Sequence, residues 1–275
     1  MFNVRVRRFL HTEQIQIFSD PLLSTGSERE DKRKFSYETG EIFPVNSHKF
    51  INPFTNEEDY YYNMGNPEKN LERSLRRTKN KIYDIAKSNE WEWFFTLTFD
   101  PEKVDSFNYE IVTKKLSQWL KNMRKKCPNM MYLVVPEQHQ SGRWHFHGLF
   151  CHVEDMRFVD SAKRDKKGRI IYNVGSYRLG FSTATKIEDV KKACSYIAKY
   201  TTKELCMVTK GKKRYWCSTN VRMPEVKEYL VSYGNEELKR LQEIGFCKVC
   251  HSEFCDVTYI EVPIDTTNVS QFVIN

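Results

Sequence analysis

The sequence predicts an α+β chain in which an antiparallel sheet carries helices mainly on one face, with extensions before and after it. Three observations carry the prediction. Trp93–Phe99 (WFFTLTF) is rich in aromatic and β-branched residues and closes at Asp100-Pro101, the pattern of a buried strand ended by a turn. Met131–Val135 (MYLVV) and Trp144–Cys151 (WHFHGLFC) flank the turn-like Gln140-Ser141-Gly142 as the two arms of a hairpin. Stretches with helical spacing stand before and between these strands.

In chain order, residues 1–65 mix polar, aromatic and turn-forming types without a sustained period, broken by Pro44, Pro53 and Gly65, and are expected to form an irregular arm. From Pro67 to Asn89, Leu71, Leu75, Ile82 and Ile85 fall at helical spacing beneath a basic outer face. A strand over 93–99 follows, then a helix over Asn108–Lys126 and the hairpin. A further strand is expected around Tyr177–Ile187, after a basic insertion, and one helix from Glu188 to about Leu205. The length of 275 residues suits one principal domain, placed at 66–208, with a helical or mixed extension over 209–275.

A net charge of +8 favours a polyanionic partner, and its distribution sharpens this. Arg73, Arg76, Arg77, Lys79, Lys81 and Lys87 crowd the first helix, and further clusters lie at Lys163–Arg169 and Lys210–Arg214; each taken singly is also what a solvated face looks like. No apolar run has the length of a membrane span, and the opening MFNVRVRRFLHTEQ lacks the pattern of a secretory signal, so the expected location is the cytoplasm. The eight cysteines are then expected as thiols or metal ligands rather than a disulfide framework.

Two constellations bear on chemistry. In a strand, alternate residues share a face, so His145 and His147 of Arg143-Trp144-His145-Phe146-His147-Gly148 point together, a geometry suited to a divalent metal. The hairpin brings Glu137 beside them as an oxygen ligand. His139 and His152 are read as ordinary histidines. The second constellation is Ser195-Tyr196-Ile197-Ala198-Lys199-Tyr200-Thr201-Thr202-Lys203, where Tyr196 and Tyr200 share one helix face with Lys199 and Lys203 close by. A phenol ionises near pH 10, so it serves as a nucleophile only beside a metal, basic groups or an oriented base. A metal to polarise a phosphate, a tyrosine to attack it and lysines to stabilise charge make a complete set for phosphodiester transfer.

Taken together, these residues resemble the HUH endonuclease superfamily, especially the rolling-circle replication initiators of small phages and plasmids. Phe95-Thr96-Leu97-Thr98-Phe99 resembles the first motif, Glu137 with His145-Phe146-His147 the metal motif, and Tyr196-x-x-Lys199-Tyr200 the two-tyrosine nucleophile motif, in the expected order. Tyr177-Arg178-Leu179-Gly180-Phe181 also resembles a strand of microvirus-like initiators. The resemblance implies a ferredoxin-like or RRM-like catalytic fold, dependence on Mg²⁺ or Mn²⁺, and nicking of single-stranded origin DNA to a 5′-phosphotyrosine and a free 3′-hydroxyl. It further implies work in a bacterial host cell beside a host polymerase. No Gly-x-x-x-x-Gly-Lys-Ser/Thr sequence is present, so the helicase is expected to be a separate host protein. Arg73, Arg76, Arg77, Lys79 and Arg143 are expected to hold the DNA backbone.

Three points stay open in the sequence. A transposase or relaxase would share the chemistry, with two tyrosines on one helix favouring the initiator, and a non-catalytic RRM-like module would bind single strands without cutting. Between the tyrosines, Tyr196 is expected to attack first. Cys247-x-x-Cys250-His251-x-x-x-Cys255 is a weak zinc pattern, and its Cys-x-x-Cys-His string matches a haem attachment site that a chain without an export signal would not use.

Overall fold

The structure is a computed structural model describing residues 1–22, 33–35, 42–44, 47–51, 58–62, 67–209, 211–232, 234–251 and 255–272. For 33–35, 42–44, 47–51, 58–62, 67–69 and Lys203, the backbone alone is described. Strands β1 (Phe2–Arg8) and β2 (Thr12–Leu22) open the chain. The short pairs β3 (Arg33–Phe35) with β4 (Ile42–Pro44) and β5 (Ser47–Ile51) with β6 (Glu58–Tyr62) follow. Next come α1 (Pro67–Lys87), β7 (Trp93–Phe99), α2 (Tyr109–Lys126), β8 (Met131–Gln138) and β9 (Trp144–Cys151). The expected basic insertion is a hairpin of β10 (Phe158–Arg164) and β11 (Ile170–Val174), leading to β12 (Gly180–Lys186), α3 (Val190–Lys199) and α4 (Lys203–Val208). The remainder holds β13 (Trp216–Cys217), β14 (Glu225–Tyr229), α5 (Glu236–Ile244), β15 (Phe246–Cys250), β16 (Val257–Pro263) and a 3₁₀ turn at Val269–Phe272.

The fold is mixed α and β with antiparallel sheets. The larger sheet runs β10-β11-β12-β7-β9-β8-β13, every neighbouring pair antiparallel. Strand β7 alternates strictly: Trp93, Phe95, Leu97 and Phe99 are buried on one face, while Phe94, Thr96 and Thr98 take the other. The first face packs with Phe146 and Phe150 of β9 against the α2 stripe Val112, Leu116, Trp119, Leu120 and Met123. Asn108 starts that helix by accepting hydrogen bonds from the backbone N–H groups of Glu110 and Ile111.

The expectation of helices mainly on one face is corrected. Leu133, Val135, Leu149 and Cys151, on the opposite face, are covered by Ile82, Ile85 and Ala86 of α1 and by Cys194 and Ile197 of α3. The sheet therefore lies between helices, because β8 and β9 are apolar on both faces at this end. Only the end bearing the polar side chains of β7, β8 and β9 escapes this cover.

The second sheet runs β14-β1-β2-β16-β15 and joins residues 2–22 to residues 225–263. Where the sequence leads one to expect an irregular arm, Phe2, Val4 and Val6 alternate inward to a core shared with Ile15, Leu241, Ile260, Val262 and Phe272. The rest of the expected arm lies outside the described residues apart from the short pairs β3–β4 and β5–β6. Helix α1 links the two sheets: Asp84 Oδ2 meets Arg7 Nη2 at 2.5 Å, and Lys87 Nζ meets Glu261 Oε2 at 2.6 Å. None of the described helices is long and apolar enough to cross a membrane.

Candidate functional site

Cross-strand register assembles the site. On the partly uncovered face of the larger sheet, Phe181 of β12 stands opposite Thr98 of β7, Thr98 opposite His145 of β9, and His145 opposite Glu137 of β8. The next row holds Thr183, Thr96, His147 and Val135. Both histidines of the His-x-His pair thus face the same side, next to a carboxylate and two hydroxyls, as strand alternation requires.

The hydroxyls orient the imidazoles. Thr96 Oγ1 lies 3.1 Å from His147 Nδ1, and Thr98 Oγ1 lies 3.1 Å from His145 Nδ1. With Nδ1 engaged on both rings, Nε2 is the nitrogen turned to a ligand, and that of His147 reaches Glu137 Oε2 at 2.7 Å. A threonine oxygen accepts from Nδ1–H when Nε2 is a ligand and donates when Nδ1 is bare, so it supports either tautomer. The hydrogen bond from His147 holds the Glu137 carboxyl below the usual range against an opposing push from burial, with His145 and His139 adding to the lowering. Burial, reinforced by neighbouring His139 and His147, lowers the His145 imidazole and favours its neutral, ligating form. Two imidazole nitrogens and a carboxylate fit a divalent ion of the Mn²⁺ or Mg²⁺ kind through the carboxylate, and a transition metal through the nitrogens.

Tyr196 and Tyr200 come to this cluster from α3. Asp189 caps the helix by accepting from Lys192 N, one residue later than the expected start at Glu188. The expected single helix to Leu205 is in fact two: Tyr200 closes α3 in an αR conformation, and Thr202 caps α4 by accepting from Leu205 N. Two consecutive β-branched residues, Thr201 and Thr202, together with that cap, explain the break. Because Tyr200 keeps helical dihedrals, the four-residue spacing still brings the tyrosines together, with ring centroids 5.2 Å apart.

Tyr200 stacks on the His147 imidazole at 3.7 Å and 11° between planes. Phe94 tilts against Tyr196 at 5.4 Å and lies 6.0 Å from His147. Burial, then a hydrogen bond with Tyr196, pushes the Tyr200 phenol far above its ordinary range. Tyr196 is 48% exposed and stands at the rim of a groove of about 780 Å³ with Lys186, Lys191, Lys199 and Arg169.

The cationic residues divide. Lys199 is exposed, with Nζ 5.9 Å from the Tyr196 ring centroid. Lys203 begins α4, beyond the break, so it does not share a helix with the tyrosines; its side chain lies outside the described residues. Arg73, Arg76, Arg77 and Lys79 all lie on the exposed face of α1, and Arg143 is exposed with its guanidinium 5.7 Å from the Phe107 ring. In the 163–169 cluster, Arg164 pairs with Asp160 and Arg169 with Asp165 and Glu188, so acids within the fold meet much of that charge. In the 210–214 cluster, Lys210 lies outside the described residues, and Arg214 bonds Ser74 Oγ, Thr209 Oγ1 and the Cys206 carbonyl, tying α4 to α1.

Sequence reasoning passed over three features. His139, set aside as ordinary, has its ring 5.3 Å from that of His145. Thr96 and Thr98 were visible only as alternate positions in WFFTLTF, their role depending on a partner strand. The third feature is at the other end of β9: Glu92, Cys151 and His152 each bring a ligand atom within 4.8 Å of the others, the group that achieves this convergence among the described residues. There Cys151 donates its S–H to Glu92 Oε1 at 3.1 Å, and burial with that bond pushes the thiol up to about 12. Cys247, Cys250, His251 and Cys255 gather no such group among the described residues, and His251 Nδ1 pairs instead with Asp256 at 3.0 Å.

Residues 92–205 match the family model of the replication-associated proteins of the ORF2 type. The match covers less than half of the chain, beginning at the residue before β7 and ending in α4, and so contains the histidine rows and both tyrosines. No curated protein and no solved structure matches the chain.

Proposed function

We propose, from this match and the cleft it encloses, that the protein initiates rolling-circle replication by nicking single-stranded DNA with a tyrosine. The observation that carries the reading is the stacking of Tyr200 on His147, 3.7 Å apart, with Tyr196 beside it and Glu137 bonded to the same imidazole. Nucleophile and ligand set occupy one site, as phosphodiester transfer requires.

In the reaction, a tyrosine oxygen attacks phosphorus as its phenolic proton leaves. The new P–O bond forms while the bond to the 3′ oxygen breaks, and that oxygen takes up a proton. One strand end stays on the enzyme as a 5′-phosphotyrosine and the other departs with a 3′-hydroxyl. Tyr196, the more exposed, is the first nucleophile; Tyr200, held protonated, acts at rejoining. Lys199 offers charge to the phosphate, and Lys203 acts from the start of α4. His145, His147 and Glu137 would hold Mg²⁺ or Mn²⁺, which supplies Lewis-acid polarisation of the scissile phosphate when bound. The exposed cations of α1, with Arg143, hold the DNA backbone, while host helicase and polymerase supply strand separation and synthesis.

The order β12-β7-β9-β8, with α2 between β7 and β8, supports a ferredoxin-like arrangement for the strand–helix–strand–strand part. The β10–β11 hairpin stands where a second helix of that pattern would come.

The test is incubation with a labelled single-stranded origin-region library and Mn²⁺ or Mg²⁺, followed by denaturing gels. A covalent adduct is expected for the wild type, abolished in the Tyr196→Phe/Tyr200→Phe double variant and in His147→Ala. Salt-sensitive binding with no adduct under any metal would replace the nickase by a binding module.

A further inference from the structure

We propose that Phe181 is a base-stacking platform, holding the base next to the scissile phosphate on the β12 side of the cleft; this rests on the reading that the cleft takes single-stranded DNA. Phe181 is 51% exposed although β12 belongs to the catalytic sheet. Single exposed apolar residues are common and need no purpose. What distinguishes this ring is its row: Phe181, Thr98, His145 and Glu137 are successive cross-strand partners on one face. Two strand spacings of about 4.8 Å put its backbone about 10 Å from that of His145, close enough for a neighbouring base to reach the ring while its phosphate meets the histidines.

The second observation is charge. Lys163 of the β10–β11 hairpin places Nζ 5.7 Å from the Phe181 ring centroid. A flat apolar surface with a cation beside it matches a nucleotide, which presents a π-face and an anion together. The same pairing argues against a protein partner with an apolar patch, for which the ammonium would have to be desolvated. The strip between Phe181 and the histidines is made of Thr98, Thr96 and Thr183, short side chains that leave the sheet face open to an extended strand. The platform accepts any base, because the sheet row offers it a ring rather than a pattern of donors and acceptors.

The experiment uses the full chain in EDTA, so that no cleavage occurs, with short oligonucleotides carrying 2-aminopurine at successive positions. Wild type is expected to quench the fluorescence strongly at one position. Phe181→Ala should lose that quench and bind about 5- to 30-fold more weakly. The dependence of log Kd on log salt should stay unchanged, because no phosphate contact is removed. Phe181→Trp should restore binding and quench, and Phe246→Ala, altering an exposed ring on the second sheet, should match wild type. Circular dichroism of each variant reports that the fold is kept. Wild-type affinity in Phe181→Ala, or a loss accompanied by a lower salt slope, overturns the platform, as does an equal loss in Phe246→Ala. The two readings part cleanly: adduct formation with an indifferent Phe181→Ala sinks the platform alone, whereas stacking without any adduct sinks the nickase alone.

Discussion

Thr96→Val replaces a hydroxyl by a methyl of similar shape beside the His147 imidazole, and leaves Nδ1 of a ring that is 7% exposed without its partner. A buried polar group stripped of its hydrogen bond costs about 1–3 kcal/mol. That cost falls on the orientation in which Nε2 faces the ligand position, and at about 1.4 kcal/mol per tenfold it corresponds to about 5- to 150-fold in affinity. Losses of partners behind metal ligands run at about 10- to 100-fold, so Mn²⁺ binding should weaken by about tenfold or more. The assay is titration of the protein with Mn²⁺, reading free ion by electron paramagnetic resonance. Thr183→Val, one strand further from the histidines on the same face, is the control and should bind as wild type. Unaltered Mn²⁺ affinity in Thr96→Val would refute the orienting role. Loss in Cys151→Ala instead would move the ion to Glu92, Cys151 and His152.

Tyr200→Phe keeps the ring on His147 but removes the hydroxyl, so single-turnover nicking through Tyr196 should persist while strand rejoining falls; loss of the first adduct would reverse the assignment. Gly180→Ala would put a Cβ 2.2 Å from the Thr98 carbonyl oxygen and 2.4 Å from Asp100 N, so β12 must shift from β7. Urea denaturation should report about 1–3 kcal/mol of destabilisation, and an unchanged midpoint would contradict the close approach. Glu237 is buried and accepts from Arg240 Nε at 2.7 Å, Arg240 Nη2 at 2.6 Å and Asn268 N at 2.8 Å. The arginine bonds hold its carboxyl below the usual range, so its contribution is present above the unfolded-state value and is lost as pH falls through the folded one. The Tm gap between wild type and Glu237→Gln should therefore be widest near neutrality and close below about pH 4, a trend that a pH-independent gap would exclude.

Local patterns made the site readable. Strand alternation alone put His145 and His147 on one side, and helical spacing alone paired Tyr196 with Tyr200, because both depend on residues two or four apart. What escaped depends on distant partners. Thr96 gains its role only when β9 lies beside β7, and His139 only when the turn folds back toward His145. Leu149 and Cys151 did signal a second covered face, yet nothing in β9 itself says that α1 and α3 supply the cover. The alternation Phe2, Val4, Val6 is short, and its apolar side finds company more than two hundred residues away, so it passed for irregular chain. At Thr201-Thr202 a local signal was present, two β-branched residues and a capping hydroxyl, but it was outweighed by the periodicity running across it.

The second sheet also sets an order of events during synthesis. Residues 2–22 leave the ribosome long before residues 225–263, yet β1 and β2 take their outer neighbours from that later segment; Arg5 bonds Glu228 across 223 positions. A lone two-stranded hairpin is marginal in water, so Val4, Val6 and Ile15 stay without their final cover while the segment bearing the histidines and tyrosines has already been made. A nascent chain therefore completes its chemical apparatus first and its closing sheet last. Any chain halted before Val257 carries β2 as an open edge, an invitation to pair with its neighbours on the polysome.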